Sequence, residues 1–435
     1  MTAFILVAVG QFVSLVGSSM TGLGLTVWAY ETTNSATALA LVGFFFLAPM
    51  LIVSPVAGAL VDRSNRKLMM MLSDLAAVLG TFMLLILSYL GILEVWHLYI
   101  VSAIEGTFQA FQWPAFSAAI TTMVPKEQYG RANGLLSLAE SGSGIFAPVL
   151  AGALLGIIGL NGILTIDIIT FFIAIGTLLI VHVPQPIKTE VGEASRGSLW
   201  KESVFGFWYI IKRPSLLGLQ LMFLTSNFFS SIAFTLMAAM VLARTSMNEM
   251  ILGSVNTAAA IGGVLGGLLM SAWGGPKKKV QGILGGWFLT GLLYIMVMGL
   301  GRGLVVWAIA SFVGTIISPV INGSSQAIWQ AKVAPDVQGR VFSIRRLIAW
   351  FVTPLAALIA GPWADFVMEP AMADEQSTLA AVFEPIVGSG PGSGMSVILL
   401  ICGGCIILVS IISYMIPAIR NAETLLSDYD QNATT

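Results

Sequence analysis

Long apolar runs alternate with short polar turns along the whole chain. Twelve such runs, bounded by charged residues, Pro or Gly, lie at about 4–30, 38–61, 69–91, 97–123, 132–157, 163–183, 215–243, 250–272, 280–300, 303–332, 341–366 and 395–417. Each is about twenty residues or longer, enough to cross a hydrocarbon core of roughly 30 Å as an α-helix. The pattern predicts an all-α membrane protein with twelve transmembrane helices. One long polar gap, PQPIKTEVGEASRGSLWKESV from Pro184, divides the crossings six and six. The expected organisation is an N-terminal six-helix bundle over 1–183, a linker over 184–214, a C-terminal six-helix bundle over 215–417 and a tail over 418–435.

Composition strengthens this picture. Of 435 residues, 57% are hydrophobic and only 9% charged, with a mean hydropathy of +0.91. A soluble domain is about one quarter charged, so this chain cannot cover a water-facing surface. The net charge of −1 is uninformative, but its placement is not. The even-numbered turns, the linker and the tail hold 18 of the 20 Lys and Arg residues, leaving only Arg244 and Arg302 opposite. That count includes Lys188 and Arg196 in the linker. The positive-inside rule then puts both termini and the linker in the cytoplasm of a cell that holds this chain in its cytoplasmic membrane. No cleavable signal peptide is expected, because the first apolar run is too long and lacks a basic flank.

The two halves echo each other. PKEQYGRANG follows the fourth crossing and PDVQGRVFS the tenth, each with Pro, an acid, Gln, Gly and Arg before a helix. Between the second and third crossings, GALVDRSNRKLMM sets Asp62, Arg63, Arg66 and Lys67 in one tight turn. The spacing Gly58-x-x-x-Asp62-Arg63-x-x-Arg66-Lys67 resembles the signature loop of the major facilitator superfamily. Asn65 replaces the usual Gly there, as a residue that also tolerates left-handed backbone. In the fifth crossing, Gly144, Pro148 and Gly152 resemble that family's antiporter motif. GQFVSLVGSSMTG, GRANGLL and PDVQGRVFS are similar to the branch of macrolide-efflux and enterobactin-export proteins.

The resemblance implies two pseudo-symmetric six-helix bundles and a cytoplasmic latch between the halves. Asp62 is expected to meet the N-terminus of the eleventh helix, whose partial positive charge attracts an anion. Arg340, Arg345 and Arg346 lie near that end and add to the attraction, while Arg63, Arg66 and Lys67 form a complementary set of cations. A solvated loop obeying only the positive-inside rule explains the basic residues but not Asp62.

Acids inside crossings are costly and usually functional. Glu140, about 12 Å into the fifth helix at 1.5 Å per residue, is the leading proton-coupling candidate. Glu105 and Asp167 follow, and Asp74 is shallow; a structural hydrogen bond or interhelical ion pair is the competing explanation for each. Gln109, Gln112, Trp113, Asn227, Asn256, Asn322, Gln326 and Gln330 are candidate substrate-cavity residues at mid-membrane depth. The last three recur every four residues and share one helix face, which is unfavourable towards lipid. Cys402 and Cys405 form a CxxC inside an apolar run, read as small-residue packing rather than a redox pair or half a zinc site. GGVLGG at 262–267 lies within a crossing with no preceding strand, so it reads as helix packing. No metal, cofactor or nucleic-acid site is expected, and no P-loop for ATP exists.

The function these features imply is secondary active transport, with proton-coupled export of an amphipathic small molecule such as a macrolide, siderophore or secondary metabolite. The alternative on the same fold is an importer or facilitator of a polar metabolite. A membrane-embedded enzyme lacks a nucleophile or metal constellation to support it. The expected partners are the substrate, protons and the lipid bilayer, with the chain acting as a monomer.

Overall fold

The computed structural model describes residues 2–33, 36–186, 189–194, 197–374 and 376–429. Lys188 and Arg196, counted above among the basic residues of the linker, lie outside the described residues. The chain begins with α1 (Thr2–Thr33), α2 (Ala36–Arg63), α3 (Arg66–Tyr89) and α4 (Val95–Met123). Then comes α5 (Tyr129–Ile180), a 52-residue run that Gly159, at φ 64° and ψ −175°, breaks into two helices. Two linker helices follow, α6 (Glu190–Ala194) and α7 (Leu199–Ile211). The second half holds α8 (Pro214–Arg244), α9 (Glu249–Trp273), α10 (Lys279–Leu289) with α11 (Met296–Leu300), α12 (Leu304–Lys332), α13 (Gln338–Trp363) with α14 (Glu369–Ala373), α15 (Thr378–Val387) and α16 (Ser393–Met415). Single π-helical turns join α10 to α11 and α13 to α14. The short turns α17 (Pro417–Arg420) and α18 (Ala422–Leu425) end the described chain.

Helices are the outcome because hydrocarbon offers backbone groups no other partner. Among the described residues, ten stretches are long and apolar enough to cross a membrane, with the two arms of α5 taken together. Separating those arms makes eleven. The twelfth is α4, 29 residues long and more polar because it carries Glu105, Gln109 and Gln112. The helix ends follow local rules. Asn248 caps α9 through the Met250 and Ile251 N–H groups, and Gly274 ends it in the left-handed region at φ 82°.

The sequence repeat is a repeat of structure. Lys126–Gln128 forms a single 3₁₀ turn leading into α5, and Pro335–Val337 forms the same turn leading into α13. Pro125 caps the first turn and Pro335 begins the second, where its missing N–H is not needed.

The chain resolves into two compact units. One comprises Met1–Ile210, Trp329–Leu347 and Asp428–Thr435; the other comprises Ile211–Ile328 and Ile348–Ser427. This division differs from one drawn at the ends of the central polar gap. Most of the linker and a short part of the second half belong to the first unit, because their buried polar side chains find their partners there.

In the second unit the small-residue reading of 262–267 is realised. A Cβ on Gly262 would collide with the Phe312 carbonyl, and one on Gly266 would lie 2.5 Å from the Ile316 carbonyl. Helices α9 and α12 therefore approach at backbone distance. Trp287, Trp307, Met298 and Cys402 lie in that unit's core, and both cysteines are free.

The linker was read only as a polar gap, yet α7 is amphipathic. Glu202, Ser203, Gly206 and Tyr209 face inward. Trp200, Val204, Phe207, Trp208 and Ile211 form an exposed apolar stripe. Such a stripe with tryptophans suits the boundary between water and lipid.

Candidate functional site

The GALVDRSNRK turn meets the start of α13 inside the first unit. Asp62 Oδ1 accepts from the Gly339 N–H at 2.7 Å, and its Oδ2 accepts from the Arg340 N–H at 2.9 Å. The Arg340 Nε–H adds a third bond at 3.1 Å, and both side chains are nearly inaccessible to solvent. A carboxylate here satisfies two of the four N–H groups that a helix start leaves unpaired, and it faces the positive end of the dipole. The glycines explain the closeness. A Cβ on Gly58 would collide with the Gly339 carbonyl and the Ser343 hydroxyl, and one on Gly339 would lie 2.6 Å from Asp62 Oδ1. Two glycines make room for one carboxylate.

The basic residues do not act as one set. Arg63 donates to Glu202 at 2.9 and 3.0 Å and to the Gly197 carbonyl at 2.6 Å. Arg66 is fully buried and donates to the Ala118 carbonyl at 2.7 Å and to the Pro335 carbonyl. Lys67 donates to the Leu179 and Val181 carbonyls at 3.0 Å, neutralising the negative end of α5. Asn65 does not use its tolerance for left-handed backbone. At φ −70° it caps α3, its side chain accepting from the Leu68 N–H.

Of the three arginines expected around Asp62, only Arg340 reaches it. The Arg345 guanidinium lies over the Trp329 ring at 5.1 Å and that of Arg346 over Trp113 at 5.2 Å. The 3.6-residue period carries positions 345 and 346 away from the first turn of α13 and onto those aromatic faces.

Glu202 was missed as a partner because it lies in the polar gap, far in sequence from Asp62. Its signal was the lone acid on the inward stripe of LWKESVFGFWYII. The Gly197 N–H donates to Oε1 at 2.9 Å, and Arg340 Nη1 lies 4.0 Å from Oε2. Burial pushes its carboxyl upward, but the hydrogen bonds from Arg63 and Gly197 and the charge of Arg340 outweigh this and hold it below the usual glutamate range. Asp336 is a second anchor for the linker, accepting from the Thr189 N–H at 2.7 Å and its hydroxyl at 2.8 Å. A polar cleft of about 270 Å³ borders Asp62, Arg63, Glu202, Asp336 and Arg340. In the tail, Asp428 pairs with Lys332 at 2.7 Å and Lys126 at 3.0 Å.

The three α12 amides have different surroundings. Asn322 is exposed and bonds only within its helix, to Ser318 at 3.3 Å. Gln326 is buried in the second unit. Gln330 is buried in the first unit, accepting from Asn133 at 2.8 Å and donating to the Ser117 carbonyl at 3.0 Å. Gln338 extends that network, accepting from Thr121 at 3.0 Å and donating to the Gln330 and Val333 carbonyls. Gln330, Gln338 and the Asn of GRANG, Asn133, are thus structural ties at the ends of α4 and α12. Of the other amides, Gln109 and Asn227 are half-buried and Asn256 is exposed.

The membrane acids also diverge. Asp167 is buried, accepting from Ser18 and Thr81 at 3.2 Å each. Glu105 is half-buried beside Gly80 and lies within electrostatic reach of Asp167. Glu140 is exposed and within electrostatic reach of Arg346. Glu140, Gly144, Pro148 and Gly152 form one exposed stripe on α5. A Cβ on Gly144 or Gly152 would meet nothing within 4 Å, whereas one on Gly142 would lie 3.2 Å from the Phe12 ring. Asp74 is buried and bonded to Gln11 and Gln112. An apolar pocket of about 550 Å³ opens between α2 and α4, lined by Phe45, Pro49, Trp96, Tyr99 and Ile104.

The sequence pattern of the Major Facilitator Superfamily matches residues 7–358. The chain belongs to that superfamily. Major facilitators are transmembrane transporters, so this is a multi-pass transporter of the cell membrane. It is 26% identical over 358 residues to Macrolide efflux protein A of Streptococcus pyogenes, spanning 82% of this chain and 88% of that protein. It is 25% identical over 363 residues to Multidrug efflux pump Tap of Mycolicibacterium fortuitum, covering 79% and 86%. Similarity to the Staphyloferrin A transporter of Staphylococcus aureus is 23% over 359 residues, covering 82% and 88%. Among solved structures, a bacterial homologue of the iron transporter ferroportin in an outward-facing state shares the major facilitator fold with a TM-score of 0.69, 13% identity and coverage of 95% and 98%. FucP in the outward conformation matches with a TM-score of 0.64, 13% identity and coverage of 94% and 98%.

Proposed function

We propose that this protein exports an amphipathic small molecule from the cytoplasm in exchange for protons, with its basic turns, linker and tail on the cytoplasmic side. The observation that carries the export reading is the similarity to a macrolide efflux protein and a multidrug efflux pump over about four fifths of the chain. The substrate classes that fit are a macrolide-like drug, a siderophore or another secondary metabolite. The apolar pocket beside Phe45 and Tyr99 is large enough to take the hydrocarbon face of such a molecule. Trp113, with Arg346 above its ring, offers an aromatic surface at which polar groups of the substrate meet a charge.

Asp62 and the start of α13 act as the cytoplasmic latch. The contact is made of bonds that need a helix terminus within 3 Å of the carboxylate, so it is either engaged or absent. That makes it a two-state element of the kind alternating access requires. Proton coupling rests on acids in the membrane, with Glu140, Glu105 and Asp167 as candidates. A proton crossing 100 mV supplies about 2.3 kcal/mol only where a group binds and releases it on alternate sides.

Inside-out vesicles, with radiolabelled erythromycin as the probe, test the reading. Uptake is expected to rise when the lumen is acidified and to collapse on adding a protonophore. Uptake that ignores the gradient defeats the proton-coupled assignment. In Glu140→Gln, gradient-driven uptake is expected to fall near background while exchange of labelled for unlabelled erythromycin survives. Wild-type gradient response in that variant transfers the role to Glu105 or Asp167.

A further inference from the structure

We propose that Asp74, held between Gln11 and Gln112, is a proton-binding station in the membrane interior of the first unit. This rests on the proton-coupled reading above but names a site outside its candidates. An apolar run starting at about 69 makes Asp74 shallow, but α3 begins at Arg66. Asp74 therefore lies eight residues into the helix, roughly 12 Å along it, and is only 5% exposed. Gln11 of α1 donates its Nε2–H to Asp74 Oδ2 at 3.0 Å. Gln112 of α4 donates to Oδ1 at 3.0 Å and also to the Gln11 Oε1 at 3.0 Å. Among the described residues Asp74 has no ion pair with any Lys, Arg or His.

The neighbouring elements bring no charge to it. Helix α1 offers Gln11, and α4 offers Gln112, with its one acid, Glu105, two turns further along. From the second arm of α5, which packs on α3, the titratable group is Asp167, at the level of Thr81, seven residues beyond Asp74 on α3. On α3 itself Arg66 and Lys67 are two turns away and committed to carbonyls. A carboxylate buried with only neutral donors is a group whose charge is costly, so a proton is the ligand it takes most readily.

Carboxamides suit both protonation states. To a carboxylate they present N–H; turned by half a revolution, they present oxygen to a protonated carboxyl. Gln112 Oε1 is buried with no hydrogen-bond partner. Protonation of Asp74 supplies the missing donor, because the turned carboxamide accepts from the new O–H. The same turn removes the Gln112 N–H from Gln11 Oε1, so binding the proton unties α4 from α1 at this level. Two turns along, Arg66 of α3 holds the Ala118 carbonyl of α4 and the Pro335 carbonyl, directly before α13. Arg66 thus ties the helices of the proton site, α3 and α4, to the segment that leads into α13, whose start binds Asp62 of α2, giving protonation a mechanical route to the latch. The step is a simple proton transfer: the aspartate accepts one proton from water or from the Asp167 side and later returns it.

The test uses the full-length protein reconstituted in liposomes. In an infrared pH titration, Asp74→Asn is expected to lose one protonated-carboxyl band that wild type and Asp167→Asn retain. Gln112→Leu is expected to shift the midpoint of that band by roughly one pH unit. In erythromycin transport, Asp74→Asn is expected to lose at least tenfold of the gradient-driven rate while keeping exchange, with Asp74→Glu recovering part of it. An unchanged set of bands in Asp74→Asn overturns the site. A wild-type gradient response in that variant does the same. Should Asp74→Asn fail to insert, an unmoved midpoint in both Asp74→Glu and Gln112→Leu overturns it instead. If wild type itself ignores the gradient, the proton-coupled function fails, while the infrared bands still decide whether Asp74 takes up a proton.

Discussion

Replacing Asp62 with Asn removes one negative charge from a contact that holds three hydrogen bonds, at 2.7, 2.9 and 3.1 Å. Asn keeps one acceptor oxygen and turns an N–H₂ towards the donors that met the second. At least one donor of Gly339 or Arg340 therefore faces another donor. Charge-assisted hydrogen bonds contribute about 1.5–3 kcal/mol each. Burying one charge fewer offsets part of that loss, and leaving Arg340 without its anion adds to it. The engaged contact should weaken by about 2–3 kcal/mol, a shift of roughly 30- to 150-fold in the engaged-to-released ratio. Cysteines at positions 54 and 343 read that ratio, because the Ser54 hydroxyl donates to the Ser343 carbonyl at 3.3 Å beside the contact. In a background with Cys402 and Cys405 replaced by Ser, oxidative cross-linking should slow in Asp62→Asn, while membrane insertion and thermal unfolding stay near wild type. Erythromycin efflux should fall with it. Equal cross-linking rates in both proteins would refute the view that Asp62 holds this contact.

Gly58→Ala should release the same contact by sterics alone, because its Cβ has no room against the Gly339 carbonyl; the same cross-link reports it. The Glu202 carboxyl is held below its usual range, so its bond to Arg63 contributes fully above that range and is lost as pH falls through the lowered value. Protease cleavage of the linker should accordingly stay slow at neutral pH and accelerate in acid, whereas Glu202→Gln should show the fast rate at every pH. For topology, a cysteine at Ser198 should resist impermeant maleimide in intact cells and one at Ser389 should label; the reverse pattern would invert the orientation and place the Asp62 contact outside.

What the sequence determined by itself was everything set within one helix length. Hydrophobic runs of fixed minimum length mark the crossings, because a backbone in hydrocarbon must close its own hydrogen bonds. Even the break at Gly159 was legible, as a gap between two apolar runs. The meeting of Asp62 with the start of α13 was expected only through the resemblance to the superfamily's signature loop; the charge pattern alone showed that the acid needed a positive partner, not which one. Tertiary structure decided which of several similar groups met. Arg340, Arg345 and Arg346 look alike in sequence, but one turn of helix sends the first to a carboxylate and the others to tryptophans. Asn322, Gln326 and Gln330 share a spacing yet end in different environments, because burial depends on what packs against each level of α12. Glu202 and the Gln11–Asp74–Gln112 cluster join residues up to 139 positions apart. Local periodicity fixes which face a side chain occupies, but its partner is chosen by the packing of elements distant in the chain, and that choice leaves no periodic trace.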